Sequence, residues 1–202
     1  MTTHDIPLDL GPAARGVAGL LDGVGDERFA AATPCPDYRV EDLLRHLLGL
    51  TLAFRAAARK EFGPLTDLSP TDPAAPVLSL DGDWRGRLRG QLDELAAAWG
   101  EPAAWAGETR AGGVTLPAAV LGRVALNELL LHGWDLARAT GQPYPADEAS
   151  ARAAIALLSA QTEDAAREGT GFGPVVPVPD DASSLDRAIG LGGRDPSWTP
   201  PA

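Results

Sequence analysis

Apolar residues recur along this 202-residue chain mainly at three- and four-residue intervals, the period of a helix with one buried face. Leu10, Ala13, Val17, Leu20 and Leu21 mark a first helix over 8–21. Val40, Leu43, Leu44, Leu47, Leu50 and Phe54 mark a stronger one over 40–60. Its N-cap is poor, because Arg39 stands where Ser, Thr or Asp would be expected. A third helix is predicted over 83–99, capped by Asp81 or Asp83 and followed by Gly100. Pro117 opens the longest, over 117–140, which Gly141 is placed to end. A last helix is predicted over 147–168. The connection 63–80 carries Pro64, Pro70, Pro73 and Pro76, and is long enough to cross from one end of a bundle to the other. Residues 107–116 read as a small hairpin turning at Gly112-Gly113, and a short helical turn near 184–189 lies in a Gly/Pro-rich tail. The pattern predicts an all-α helical bundle with one long crossover.

Composition narrows the function classes. The length suits one domain able to close a core, here a bundle over 1–168 with an extended tail over 169–202 packed on it. A net charge of −11 argues against nucleic acid as a partner, since phosphate binding needs a cationic face. The densest basic stretch, Arg85, Arg87 and Arg89, sits among Asp81, Asp83, Asp93 and Glu94 and reads as a solvated helix face. No apolar run is long enough to span a membrane, and Asp5, Asp9 and Arg15 interrupt any secretory core. The single cysteine, Cys35, permits no intramolecular disulfide, so a cytoplasmic location is expected.

The standard short catalytic motifs, G-x-S-x-G, P-loop, H-E-x-x-H and C-x-x-C, are missing. Gly169-Thr-Gly-Phe-Gly173 follows a helix rather than a strand and reads as an exit loop. The longest helix carries more chemistry: Glu128, His132 and Asp135 fall on or beside its core stripe with Leu121, Val124, Ala125 and Leu131. A buried carboxylate without a partner is costly. Glu128 and His132, one turn apart, can share a cation or simply a hydrogen bond. His46 lies among leucines of the second strong helix, and facing helices would join it to the other two as a two-His-one-Glu site. Trp134 points away from Glu128 and reads as packing; His4 reads as solvent-exposed.

Three stretches carry a family resemblance. They are Ala32-Thr-Pro-Cys-Pro-Asp-Tyr-Arg-Val-Glu-Asp-Leu-Leu-Arg-His46, Glu128-Leu-Leu-Leu-His-Gly-Trp-Asp-Leu-Ala-Arg-Ala-Thr-Gly-Gln142, and a tail of Phe172-Gly-Pro-Val-Val-Pro-Val-Pro-Asp-Asp-Ala-Ser-Ser-Leu-Asp-Arg187 with Gly193-Arg-Asp-Pro196. Together they resemble the DinB-like superfamily, in the branch related to mycothiol-dependent maleylpyruvate isomerase. The resemblance implies a four-helix bundle holding a divalent metal on His46, Glu128 and His132. Tyr38 stands where relatives usually carry Trp, Arg39 replaces a small capping residue, and the chain is expected to lack an extra C-terminal domain of the isomerase.

Two imidazoles and one carboxylate leave coordination positions open, the layout of a catalytic zinc site, though Fe, Ni or Mn would also suit these donors. The resemblance favours a mycothiol-type thiol as cofactor, with a small-molecule electrophile as partner. That would make the protein a metal- and thiol-dependent transferase or isomerase. The rivals are a non-catalytic metal-binding bundle and a metal-dependent hydrolase, the latter lacking a visible general base. Asp42 and Asp135, each about one turn from a histidine, are candidate acceptors that fix the imidazole tautomers. Cys35, between two prolines, reads as a packed loop residue rather than a nucleophile.

Overall fold

The computed structural model describes residues 7–70, 72–160 and 173–201. Its helices are α1 (Gly11–Leu20), α2 (Val40–Arg59), α3 (Pro64–Asp67), α4 (Trp84–Gly100), α5 (Ala118–Thr140), α6 (Glu148–Leu158) and α7 (Ser184–Leu191). The strands β1 (Glu108–Ala111) and β2 (Val114–Pro117) pair antiparallel, with Ala111 opposite Val114. Gly112 and Gly113, at φ 59° and 78°, form the turn, since both positions need a left-handed backbone that glycine adopts without strain. None of the helices among the described residues is long and apolar enough to cross a membrane.

The helices α1, α2, α4 and α5 enclose the main core, each packing on two of the others in the order α1, α4, α2, α5. From α2 come Val40, Leu43, Leu44, Leu47 and Phe54; from α4 come Trp84, Leu88, Leu92, Leu95 and Trp99. Each fully buried leucine contributes about 1.5–3 kcal/mol. Two buried side-chain donors tie the elements together. Trp99 donates its indole N–H to the Phe54 carbonyl at 3.1 Å, and Thr109 of β1 donates to the Ala57 carbonyl at 2.5 Å. The hairpin thereby closes the end of α2.

Helix boundaries follow local chemistry. Asp83 accepts from Gly86 N–H at 2.9 Å to cap α4, and Gly141 ends α5 with a left-handed φ of 72°. The start of α2 lacks a capping side chain at Arg39, as expected, but Asp42 three residues on accepts from the Arg39 N–H at 3.2 Å. The four-residue α3 lies inside what the sequence reads as a plain connection. Helix α6 ends at Leu158, where a turn begins, short of the expected 168. The 168/169 boundary, His4 and Gly169–Phe172 lie outside the described residues.

In its C-terminal half α5 is buried almost all round, because α6 and α7 cover the face turned away from α2. Leu130 packs with Ala154 and Ala188, while Leu131 and Trp134 pack with Ile189. The tail is pinned by backbone bonds, Val176 N–H to Gly190 O at 2.9 Å and Arg194 N–H to Ile189 O at 3.0 Å. Arg138 of α5 also donates from Nε to the Trp198 carbonyl at 3.0 Å.

Candidate metal centre

Helices α2 and α5 pack against each other, and this brings His46 to Glu128, 82 residues away in sequence, and to His132 one turn beyond it. The Nε2 atoms of His46 and His132 each lie 3.2 Å from Glu128 Oε2. All three donor atoms fall within 4.8 Å of one another. The imidazole centroids are 4.8 Å apart and nearly perpendicular, at 82°, so the two rings approach the carboxylate from different directions. The side chains of His46 and Glu128 remain 12% and 20% exposed, which leaves the cluster an approach from solvent.

Each imidazole is held from behind by a different kind of partner. His132 Nδ1 lies 3.0 Å from Asp135 Oδ2, one turn further along α5. Asp135 is fully buried and meets a second buried ion, Arg194 of the tail, at 3.3 Å. His46 Nδ1 instead lies 3.3 Å from the Tyr38 hydroxyl, with the phenol ring tilted over the imidazole at 5.0 Å between centroids. Asp42, the residue expected behind His46, is engaged elsewhere. Its carboxylate accepts from the Arg39 N–H and lies 3.5 Å from Arg45, so it serves the start of α2. The reason is its place as the third residue of the helix, which turns its carboxylate toward the free backbone N–H groups.

Tyr38 is presented by a loop built on Thr33. The Thr33 hydroxyl lies 2.8 and 2.9 Å from the carbonyls of Tyr38 and Cys35, and it accepts from Cys35 N–H at 3.2 Å. An isolated bridge between Ala32 and Arg39 closes the loop at its base. Cys35 is buried in this loop, and burial pushes its thiol upward, only partly offset by the positive charge of Arg194. That environment disfavours a reactive thiolate. Trp134 packs beside Ile189, with the Arg138 guanidinium 5.7 Å from its ring, away from the cluster.

The electrostatics are those of a tightly coupled donor set. Burial opposes ionisation of Glu128, but hydrogen bonds from His132 and His46 and their charges outweigh it and hold the carboxyl well below its usual range. Burial likewise opposes a charged His132, and the bonds to Asp135 and Glu128 overcome it, pushing the imidazole up to about 9. Burial, with nearby Cys35 and Glu128, pushes the Tyr38 phenol up to about 12, so it stays protonated at neutral pH.

Sequence reasoning singled out the three clustered residues and Asp135, but not Tyr38 or Arg194 as their neighbours. Tyr38 stood out only as a departure from relatives, and Arg194 only as part of a tail motif. Their partners are fixed by the tertiary fold.

Comparison with known proteins places the chain. Among curated proteins none matches. Two solved structures share the fold: mycothiol-dependent maleylpyruvate isomerase, at TM-score 0.60, and a histidine-to-alanine variant of it, at 0.61. Both are 22% identical, with 96% of this chain matched to 93% of that chain. The match runs over nearly the whole length of both chains. The sequence profile of the mycothiol maleylpyruvate isomerase N-terminal domain matches residues 10–137, a span that includes His46, Glu128 and His132. On that match over more than half its length, the chain belongs to the mycothiol maleylpyruvate isomerase N-terminal domain family within the DinB-like superfamily.

Proposed function

We propose that the protein is a divalent-metal-dependent enzyme of the thiol-transferase or isomerase type, using a mycothiol-type thiol on a small electrophile. The observation that carries this reading is the convergence of His46 Nε2, Glu128 Oε2 and His132 Nε2 on one point. The donor chemistry fits a divalent transition metal, zinc first, because two imidazoles and a carboxylate are a catalytic rather than a structural ligand set. When bound, such a metal supplies Lewis acidity that lowers the pKa of a ligating thiol toward neutrality.

The chain's own residues do the rest. His46 and His132 offer Nε2 because Tyr38 and Asp135 engage their Nδ1 atoms. The donor set brings one negative charge, since that of Asp135 is matched by Arg194. The residues thus under-compensate a divalent cation by one charge, which leaves room for one anionic ligand. The Tyr38 phenol, protonated and stacked over His46, can donate a hydrogen bond at the rim. The buried Cys35 is not suited to be the nucleophile, in keeping with a thiol that arrives as a cofactor. The isomerase named for the two similar structures is mycothiol-dependent, which supports that choice of cofactor.

The test is elemental analysis of protein purified without a metal-affinity tag, for wild type and His132→Ala, followed by assay of mycothiol consumption with a small electrophile such as 1-chloro-2,4-dinitrobenzene. Near-stoichiometric metal in wild type, lost with thiol consumption in the variant, is expected. Folded wild type that neither contains nor takes up zinc, iron, nickel or manganese would overturn the reading. Metal without thiol chemistry on any small electrophile would reduce it to a metal-supported bundle.

A further inference from the structure

Behind His132 runs a chain of two buried ions, Asp135 inside the span of the family profile and Arg194 beyond its end at residue 137. Asp135 is 0% and Arg194 4% exposed, and 59 residues of sequence separate them. The guanidinium holds both carboxylate oxygens, Nε lying 3.4 Å from Oδ1 and Nη2 3.3 Å from Oδ2. Its third nitrogen, Nη1, donates to the Gly192 carbonyl at 2.6 Å. Each guanidinium nitrogen therefore has a protein partner, and the carboxylate is fixed in plane as well as in place. Its Oδ2 is the atom that meets His132 Nδ1 at 3.0 Å.

A planar imidazole whose Nδ1 direction is set has its Nε2 direction set too. We propose that Arg194 is a positioning residue, acting from the tail through Asp135 to aim His132 Nε2 at the metal position; this rests on the metal-binding reading above. The backbone is built to deliver the guanidinium there. Gly193, at φ 80°, crosses so close to Gly173 that a Cβ would sit 2.7 Å from the Gly173 carbonyl oxygen, so the approach admits no side chain. Lysine could supply the charge but not the fork that holds two oxygens at once. The two imidazoles are thus aimed differently, His46 by a neutral hydroxyl on a neighbouring loop and His132 by a buried ion pair whose arginine comes from the C-terminal tail.

The experiment measures zinc affinity by competition with a chromophoric chelator, together with the visible spectrum of the cobalt-loaded protein. The proteins are wild type, Arg194→Lys, Arg194→Gln, Asp135→Asn and the double variant Arg194→Gln/Asp135→Asn. Loss of an outer partner of a metal ligand costs about 10–100-fold in affinity, so Arg194→Lys should stay folded and weaken zinc by about tenfold or more, with shifted cobalt bands. The double variant should bind zinc as Asp135→Asn does. Variants that melt earlier but keep wild-type zinc affinity and cobalt spectrum would overturn the proposal, leaving Arg194 as an anchor for the tail. So would a double variant that binds much more weakly than Asp135→Asn. Wild type that binds neither zinc nor cobalt would instead sink the metal reading itself.

Discussion

A proton stands where the metal would bind, and this sets a measurable competition. In the metal-free protein the carboxylates of Asp135 and Glu128 push His132 up to about 9, so at pH 7 the imidazole is almost fully protonated and its Nε2 is unavailable. Glu128, held well below the usual carboxyl range, has no proton to lose. Zinc binding at pH 7 should therefore release close to one proton from His132, and affinity should rise about tenfold per pH unit until the pH reaches about 9. From pH 7 to 9, where the imidazole is half deprotonated, that is about 50-fold, or ~2.3 kcal/mol at ~1.36 kcal/mol per tenfold. Isothermal titration calorimetry in two buffers of different ionisation enthalpy counts the protons directly.

Stability must move the opposite way in the metal-free form. A raised imidazole pKa stabilises the fold fully below its ordinary 6.5 and loses that contribution as pH rises through about 9. The metal-free melting temperature should fall across that window while the increment added by zinc grows. The Glu128 contribution, from a depressed carboxyl, is present above its ordinary 4.5 and fades only in stronger acid. Zinc binding at pH 7 with no proton release, or an affinity flat from pH 7 to 9, would refute the coupling.

Two further outcomes follow from contacts described here. Tyr38→Phe keeps the ring over His46 but removes the hydroxyl 3.3 Å from Nδ1, so zinc affinity should fall about tenfold at unchanged melting temperature, read by the same chelator competition. Gly122→Ala should lower stability by about 1–3 kcal/mol in urea unfolding, because the added Cβ would meet the Trp105 and Trp99 rings at 2.6–2.8 Å; a neutral result would show that the T-shaped indole pair can shift.

Much of this architecture is written locally. The stripes Val40 to Phe54 and Trp84 to Trp99 carry the helical period plainly, and Gly112-Gly113 is a turn that little else could make. Periodicity was a poorer guide along α5, because burial by α2 on one side and by α6 and α7 on the other erases the contrast between faces. Glu128 and His132 were legible for the opposite reason, as ionisable groups on an apolar helix. Asp42 was open to a better reading. As the third residue of a helix it was placed to bond the backbone at Arg39 rather than the imidazole of His46. Tyr38 and Arg194 depend on a folded loop and a docked tail, and no spacing in the sequence encodes those distances.

Because a chain emerges from the ribosome N-terminus first and folds as it lengthens, sequence order also sets a sequence of events. Residues 46, 128 and 132 are all made before residue 194, which follows Asp135 by 59 residues. The donor cluster can therefore assemble on the nascent protein while the imidazole of His132 is still free to swing, an interval in which a cation enters easily. Docking of the tail then locks that ring. On the metal-binding reading proposed above, a cation would enter most easily before the tail docks and exchange most slowly afterwards.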